Sequence, residues 1–126
     1  MPTKYEKFMA KTPEERRAEL IKQLSKTPDR VAVLVRGKPV IKQFKFLVQE
    51  ERPMMDLKVI VRAKLSETHP DKFSSHTALF MFVKIQKKES ESLALLPDVS
   101  MASIAQDYTW DDGFVHIEYA LEDVFG

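Results

Sequence analysis

The chain has 126 residues and a mass of 14.6 kDa, the size of one domain. Its 20 Lys and Arg against 19 Asp and Glu leave a net charge of +1, cysteine is absent, and glycine occurs only at Gly37, Gly113 and Gly126. No Cys means no disulfide scaffold, thiolate zinc site or cysteine nucleophile, and three scattered glycines exclude a P-loop or a GxGxxG dinucleotide loop.

Residues 1–10 read as a short helix or a loose arm. Thr12-Pro13-Glu14-Glu15 then starts a helix. Thr12 can cap free N–H groups, Pro13 loses nothing at the first position, and Glu15 stands where a capping box needs a carboxylate. Ala18, Ile21 and Leu24 follow at helical spacing as its apolar stripe, and Pro28 ends it. Val31 to Val35 is a β-branched run, Arg36-Gly37-Lys38-Pro39 a turn, and Val40 to Val48 a second strand, so a hairpin is expected. Pro53 opens a further helix with Met54, Leu57 and Val61 on one stripe and Ile60 beside it, although the short apolar run Lys58–Val61 reads equally as a strand.

Ser66 to Thr77 is polar, contains Pro70 and reads as a loop. Ala78 to Ile85 (ALFMFVKI) is the most apolar strand, which predicts a central position covered on both faces. Lys87 to Ser92 reads as a charged loop. Met101, Ile104, Ala105 and Tyr108 make a short amphipathic helix, Asp111-Asp112-Gly113 a turn, and Phe114 to Tyr119 the last strand. Strands and helices in the order β-β-α-β-α-β, after a helical preface, predict an α+β fold. The economical solution is a mixed sheet crossed by one helix, a ubiquitin-like β-grasp with two additional N-terminal helices. Residues 1–27 are then a helical extension, and 28–126 the β-grasp domain of the same structural unit.

The near-zero total conceals an asymmetry. Residues 97–126 hold seven acids and no Lys or Arg, so residues 1–96 carry a balance of +8. Opposite charge at the two ends predicts two faces, two partners of opposite charge, or simply ends that meet in the fold. The N-terminal MPTKYEKFMAKTPEE has no signal-peptide core, and no apolar run approaches the roughly 20 residues that span a bilayer. A soluble intracellular protein is expected.

No constellation for catalysis stands out. His69, Asp71 and His76 share a loop but fit no zinc spacing, so no metal site is expected. Ser74-Ser75-His76 lacks a nucleophile elbow, and His116, in the last strand, reads as a structural histidine. Residues 30–64 carry nine basic side chains against three acids, with Phe44 and Phe46 between them. That pattern suits a nucleic-acid platform, but the near-zero net charge argues against one. More telling is the end of the chain. A terminal Gly126 has no Cβ beside its carboxylate, so it can enter a narrow enzyme channel and be activated there.

Several segments carry a resemblance. MASIAQDYTWDDGFVHIEYALEDVFG has a Met-x-x-Ile helix, an Asp-Gly-Phe turn into the last strand, a Tyr near the strand end and a Phe-Gly finish. With ALFMFV, PDRVAVLV, KFLV, DLKVIVRAKL and EERRAEL, it resembles the autophagy ubiquitin-like modifiers of the GABARAP and light-chain-3 type over most of residues 12–126. The first hairpin turn is shorter than that family's, the loops at 66–77 and 84–97 are longer, and Ala32 and Gln49 replace family prolines.

The resemblance implies a substrate of conjugation, with no catalytic residue and no cofactor. Gly126 would be adenylated, passed as a thioester through an activating and a carrier enzyme, and joined to phosphatidylethanolamine. Phe125 would help those enzymes read the tail, and a cysteine protease would process and deconjugate it. The protein would be cytoplasmic, and on autophagosomal membranes when lipidated. It would also recruit autophagy receptors bearing aromatic-x-x-aliphatic motifs, each adding a strand beside the second strand. By residue match the aromatic pocket uses Glu19, Ala32, Leu34, Lys45, Leu47 and Phe114. The aliphatic pocket uses Phe46, Val48, Leu57, Ile60 and Lys64. Arg30 and Lys45 would attract acids flanking the motif, and Gln23, in place of an apolar residue, predicts a weakened or altered aromatic pocket. Two alternatives stay open: a sister modifier joined to a protein lysine, and a ubiquitin-like binding module that is never conjugated.

Overall fold

The computed structural model describes residues 3–73, 76–94 and 98–123, and only the backbone at 88–91 and 123. Its elements are α1 (Lys4–Met9), α2 (Pro13–Leu24), β1 (Arg30–Gly37), β2 (Lys45–Gln49), α3 (Met54–Thr68), β3 (Thr77–Ile85), β4 (Lys88–Ala94), α4 (Met101–Tyr108) and β5 (Val115–Asp123). The capping box expected at Thr12 is present: its side chain accepts from the Glu15 amide at 3.2 Å, and the Glu15 carboxylate accepts from the Thr12 amide at 3.1 Å. Thr3 and Glu6 repeat the device on α1.

The strands form one sheet in the order β2-β1-β5-β3-β4. β1 and β5 run parallel at its centre, and β1–β2, β3–β5 and β3–β4 pair antiparallel. α3 and α4 pack on one face through Leu57, Val61, Leu65, Met101 and Ile104, against Val33, Val35, Phe46 and Ile117. α1 and α2 cover the other face, where Phe8 and Leu20 meet Ala32, Leu34, Phe44 and Phe114. This is the β-grasp with two N-terminal helices that the element order predicts. Cover on both faces explains why Val31 to Val35 are buried without alternation.

Several expectations need correction. β3 is not the central, two-sided strand. It lies beside the edge strand, and its burial alternates, with Phe80 43 % exposed. The charged stretch 87–92 is no loop: most of it forms β4, paired with β3 through Ile85↔Lys88 and Lys84↔Ser92. The loop at 66–77 is shorter than expected, because α3 continues through Thr68 and β3 begins at Thr77. Exposed polar residues at 66–68 lengthen the helix without needing core contacts. The second strand covers only Lys45–Gln49. Ile41 and Phe44 are buried from the connecting segment instead, Phe44 with a single backbone bond to Val35 of β1.

The stripe of α2 is also shifted. Ile21 is 58 % exposed and Ala18 is exposed, while Arg16 and Leu20 are buried, four residues apart on one face. Gly37 is likewise not in a turn. It ends β1 opposite Tyr119, where an added Cβ would lie 2.6 Å from the Tyr119 ring and carbonyl oxygen. Burial pushes the Tyr119 hydroxyl up to about 12, and it donates to the Pro39 carbonyl. Gly37→Ala is therefore expected to lose about 1–3 kcal/mol of stability through overpacking, read as a lower urea midpoint with an unchanged slope. Gly113 does sit in the turn before β5, at φ +87°, a conformation that favours glycine.

Candidate functional site

β2 is a free edge of the sheet. The Val35 amide bonds the Phe44 carbonyl at 2.8 Å, and the Glu50 amide bonds the Asp29 carbonyl at 3.0 Å. Antiparallel pairs alternate, so Phe46 and Val48 also direct their backbone groups at β1, and Lys45, Leu47 and Gln49 direct theirs outward. Those outward groups are what an added strand would use. Two of the carbonyls have local donors: Gln43 Nε2 lies 3.3 Å from that of Lys45, and Arg30 Nη1 lies 3.5 Å from that of Leu47. Arg30 Nε is enclosed without a hydrogen-bond partner among the described residues.

Beside this edge, where α2 leans on the sheet, lies a pocket of about 290 Å³. Of the residues expected in the aromatic pocket, Glu19, Lys45 and Phe114 line it; Ala32 and Leu34 are buried in the apolar layer between helices and sheet, and Leu47 packs at its margin. Phe8, Leu20 and Gln23 also line it. Phe8 went unrecognised because α1 is short and its docking depends on tertiary contacts. Lys45 Nζ lies 4.2 Å from the Phe8 ring centroid, a cation–π contact. Glu19 is tied to Lys11 at 2.5 Å, and that hydrogen bond holds its carboxyl below the ordinary value.

A buried ionic cluster sets the walls of this pocket. Arg16 Nε on α2 donates to Asp112 Oδ2 at 3.0 Å, and its Nη1 donates to the carbonyls of Met9 and Lys11 at 3.1 and 2.7 Å. Asp112 Oδ1 accepts from the Phe114 amide at 2.9 Å, and Oδ2 accepts from His116 Nε2 at 2.9 Å. One carboxylate thus joins α2 to the residue that floors the pocket. Burial by itself raises the Asp112 carboxyl, but the hydrogen bonds and charge of His116, the Phe114 amide and Arg16 outweigh it and hold the group below its ordinary value. His116 stacks on Trp110 at 3.6 Å between ring centroids, and Trp110 Nε1 donates to the Lys84 carbonyl at 3.0 Å. This is the structural setting expected for His116.

The aliphatic-pocket residues behave differently. Phe46, Val48 and Leu57 belong to the main core, and Leu57 has no exposure at all. Ile60 is 40 % exposed on α3, and Lys64 is half-exposed one turn on. His69 Nε2 donates to the Val40 carbonyl at 2.9 Å, and among the described residues no three His, Asp or Glu side chains gather to hold a metal. Ser74, Ser75, Phe125 and Gly126 lie outside the described residues. Among the described residues, no helix is long and apolar enough to cross a membrane.

Residues 15–126 match the family model described as "Autophagy protein Atg8 ubiquitin like". The chain belongs to the Atg8 family. It is 31% identical to autophagy-related protein 8i of Arabidopsis thaliana over 120 residues, covering 91% of this chain and 93% of the relative. Autophagy-related protein 8d of the same plant is 29% identical over 120 residues, with coverage of 90% and 88%. The crystal structure of Trypanosoma brucei ATG8 superposes with a TM-score of 0.74 at 23% identity over all of both chains. Plasmodium falciparum Atg8, solved with an Atg3 peptide, gives 0.71 at 22% identity over 95% of this chain and 96% of that one. These likenesses support the Atg8 fold for residues on both sides of the sheet. Atg8 proteins are ubiquitin-like modifiers of autophagy, so the β2 edge and its pocket belong to a modifier.

Proposed function

We propose that this Atg8-family chain is a modifier conjugated through Gly126 to phosphatidylethanolamine, and that its β2 edge recruits aromatic-x-x-aliphatic segments. Residues 1–27 act as a helical extension of the 28–126 modifier domain and supply one wall of the pocket. The observation that carries this reading is the outward backbone of Lys45, Leu47 and Gln49 next to a pocket built from Phe8, Lys45 and Phe114. An extended segment adds to β2, its aromatic side chain enters that pocket, and its acidic flank meets Lys45 and Arg30. Ile60 and Lys64 present the exposed part of the aliphatic half, while Phe46, Val48 and Leu57 support it from the core.

The conjugation partners are an activating enzyme, a carrier enzyme and a processing cysteine protease. The Plasmodium relative solved with an Atg3 peptide supports an enzyme of the conjugation pathway as a partner. Autophagosomal attachment then comes from the covalent lipid.

Titration of an acidic-flanked motif peptide against wild type and Lys45→Glu tests the docking half. Reversing a charge beside the pocket is expected to weaken binding about tenfold and to make the loss salt-dependent. Equal affinities would remove Lys45 from the site. Reconstituted lipidation with Gly126→Ala as control tests the conjugation half.

A further inference from the structure

Among the described residues the sheet has a second free edge, β4, at the end opposite β2. Val83 and Leu93 are register partners, so their side chains leave the sheet on the same side, the side on which Ile104 of α4 packs. Between β4 and α4 this leaves a groove of about 370 Å³, within the roughly 300–1,000 Å³ of binding sites. Leu93, Val99, Ile104 and Tyr108 give it apolar walls, and Asp107 is its charged lining residue. Leu93 is 45 % exposed, a large aliphatic side chain open to water at the groove's rim.

Two features select an extended, basic occupant. The first is the strand edge. Ser92, Leu93 and Ala94 at the end of β4 carry none of the charges that prevent indiscriminate strand pairing. This end of the edge, beside the groove, is therefore open to pairing. The second is charge. Residues 97–126 contain no Lys or Arg, so Asp107 on α4 and the exposed Asp98 before it have no basic neighbour in that segment. Lys84 of β3 is directed to Glu118, at 4.0 Å. The β2 edge carries Arg30 and Lys45; the β4 edge with α4 carries the opposite sign.

We propose that the groove between β4 and α4 is a second peptide-docking site of reversed charge preference. It takes an extended segment that adds to the end of β4, places an aliphatic or aromatic side chain against Leu93 and Ile104, and presents Lys or Arg to Asp107. A segment of this kind does not compete with an acidic motif at β2, so the two edges can hold two partners at once.

Amide NMR of the labelled full-length chain tests this with two synthetic probes, the heptapeptide Lys-Val-Lys-Leu-Lys-Val-Lys and its counterpart with Glu at every Lys. The basic probe is expected to shift amides at 92–94 and 103–108. Its affinity should fall roughly fivefold in Asp107→Lys and roughly threefold in Leu93→Ser. Both side chains are exposed, and unchanged thermal midpoints would show both variants folded. The Glu probe is expected to leave those amides unmoved. The proposal is overturned by the absence of shifts, by equal response to both probes, or by shifts spread over 111–123 and indifferent to Leu93→Ser. It is also overturned if the same amides shift with protein concentration alone, which would make the occupant a second copy of this chain.

Discussion

Asp112→Ala is expected to destabilise the protein by about 3–5 kcal/mol, because it leaves the guanidinium of Arg16 buried without its counter-charge. Arg16 and Asp112 are 6 % and 1 % exposed, and the carboxylate accepts from Arg16, His116 and the Phe114 amide together. Removing it frees three donors at once, and the carbonyls of Met9 and Lys11 that hold the rest of Arg16 cannot replace a charge. The effect has a pH signature. Asp112 is held below its ordinary value in the folded state, so its contribution is present above the unfolded pKa of about 4 and is lost as pH falls through the folded value. The gap between wild type and Asp112→Ala in urea unfolding should thus be full at pH 7 and narrow on acidification below about pH 4. A gap that stays constant would show that the carboxylate contributes through packing instead of charge. The same variant should also weaken motif binding, since Asp112 sets both α2 and Phe114 against the pocket.

Leu57→Ala is expected to cost about 2–5 kcal/mol of stability, the range for emptying a fully buried leucine site. Leu57 lies on the buried stripe of α3 with Met54, Val61 and Leu65, under the sheet residues Phe46 and Val48. It therefore acts on motif binding only by supporting what lies above it. Ile60→Ala, at an exposed position on the same helix, should change stability by less than about 0.5 kcal/mol. Paired urea unfolding and peptide titration separate the two. Leu57→Ala should shift the unfolding midpoint, and Ile60→Ala should shift the affinity. A stable Leu57→Ala protein with lost binding would place Leu57 at the surface of the pocket.

The architecture was legible because its signals are local. Thr12-Pro13-Glu14-Glu15 forms the capping box it spells, the Met54-Leu57-Val61 stripe faces the core, and Asp111-Asp112-Gly113 turns into the last strand. The failures occurred where burial depends on a distant partner. Arg16 lies outside the expected Ala18-Ile21-Leu24 stripe and becomes core because Asp112 meets it from 96 residues away. β4 reads as a loop because its polar alternation offers no apolar face, yet β3 supplies every pairing it needs. The candidate site was legible in part for the same reason. Glu19, Lys45 and Phe114 converge on one pocket, but Phe8 joins them only once α1 docks. The helical stripe separates the buried Leu57 from the exposed Ile60, three positions further along the same helix, but residue match to the family put both in one pocket.

The central claim is that Gly126 is the point of attachment to lipid, and reconstituted conjugation tests it most directly. The chain is incubated with activating enzyme, carrier enzyme, ATP and liposomes containing phosphatidylethanolamine, beside a Gly126→Ala control. Activation uses ATP, and an amide forms between the Gly126 carboxyl and the headgroup amine. A lipid adduct whose mass is that of the chain plus phosphatidylethanolamine minus water, absent in Gly126→Ala, is the predicted result. No adduct with the wild-type chain, or an adduct that persists in Gly126→Ala, would contradict the claim.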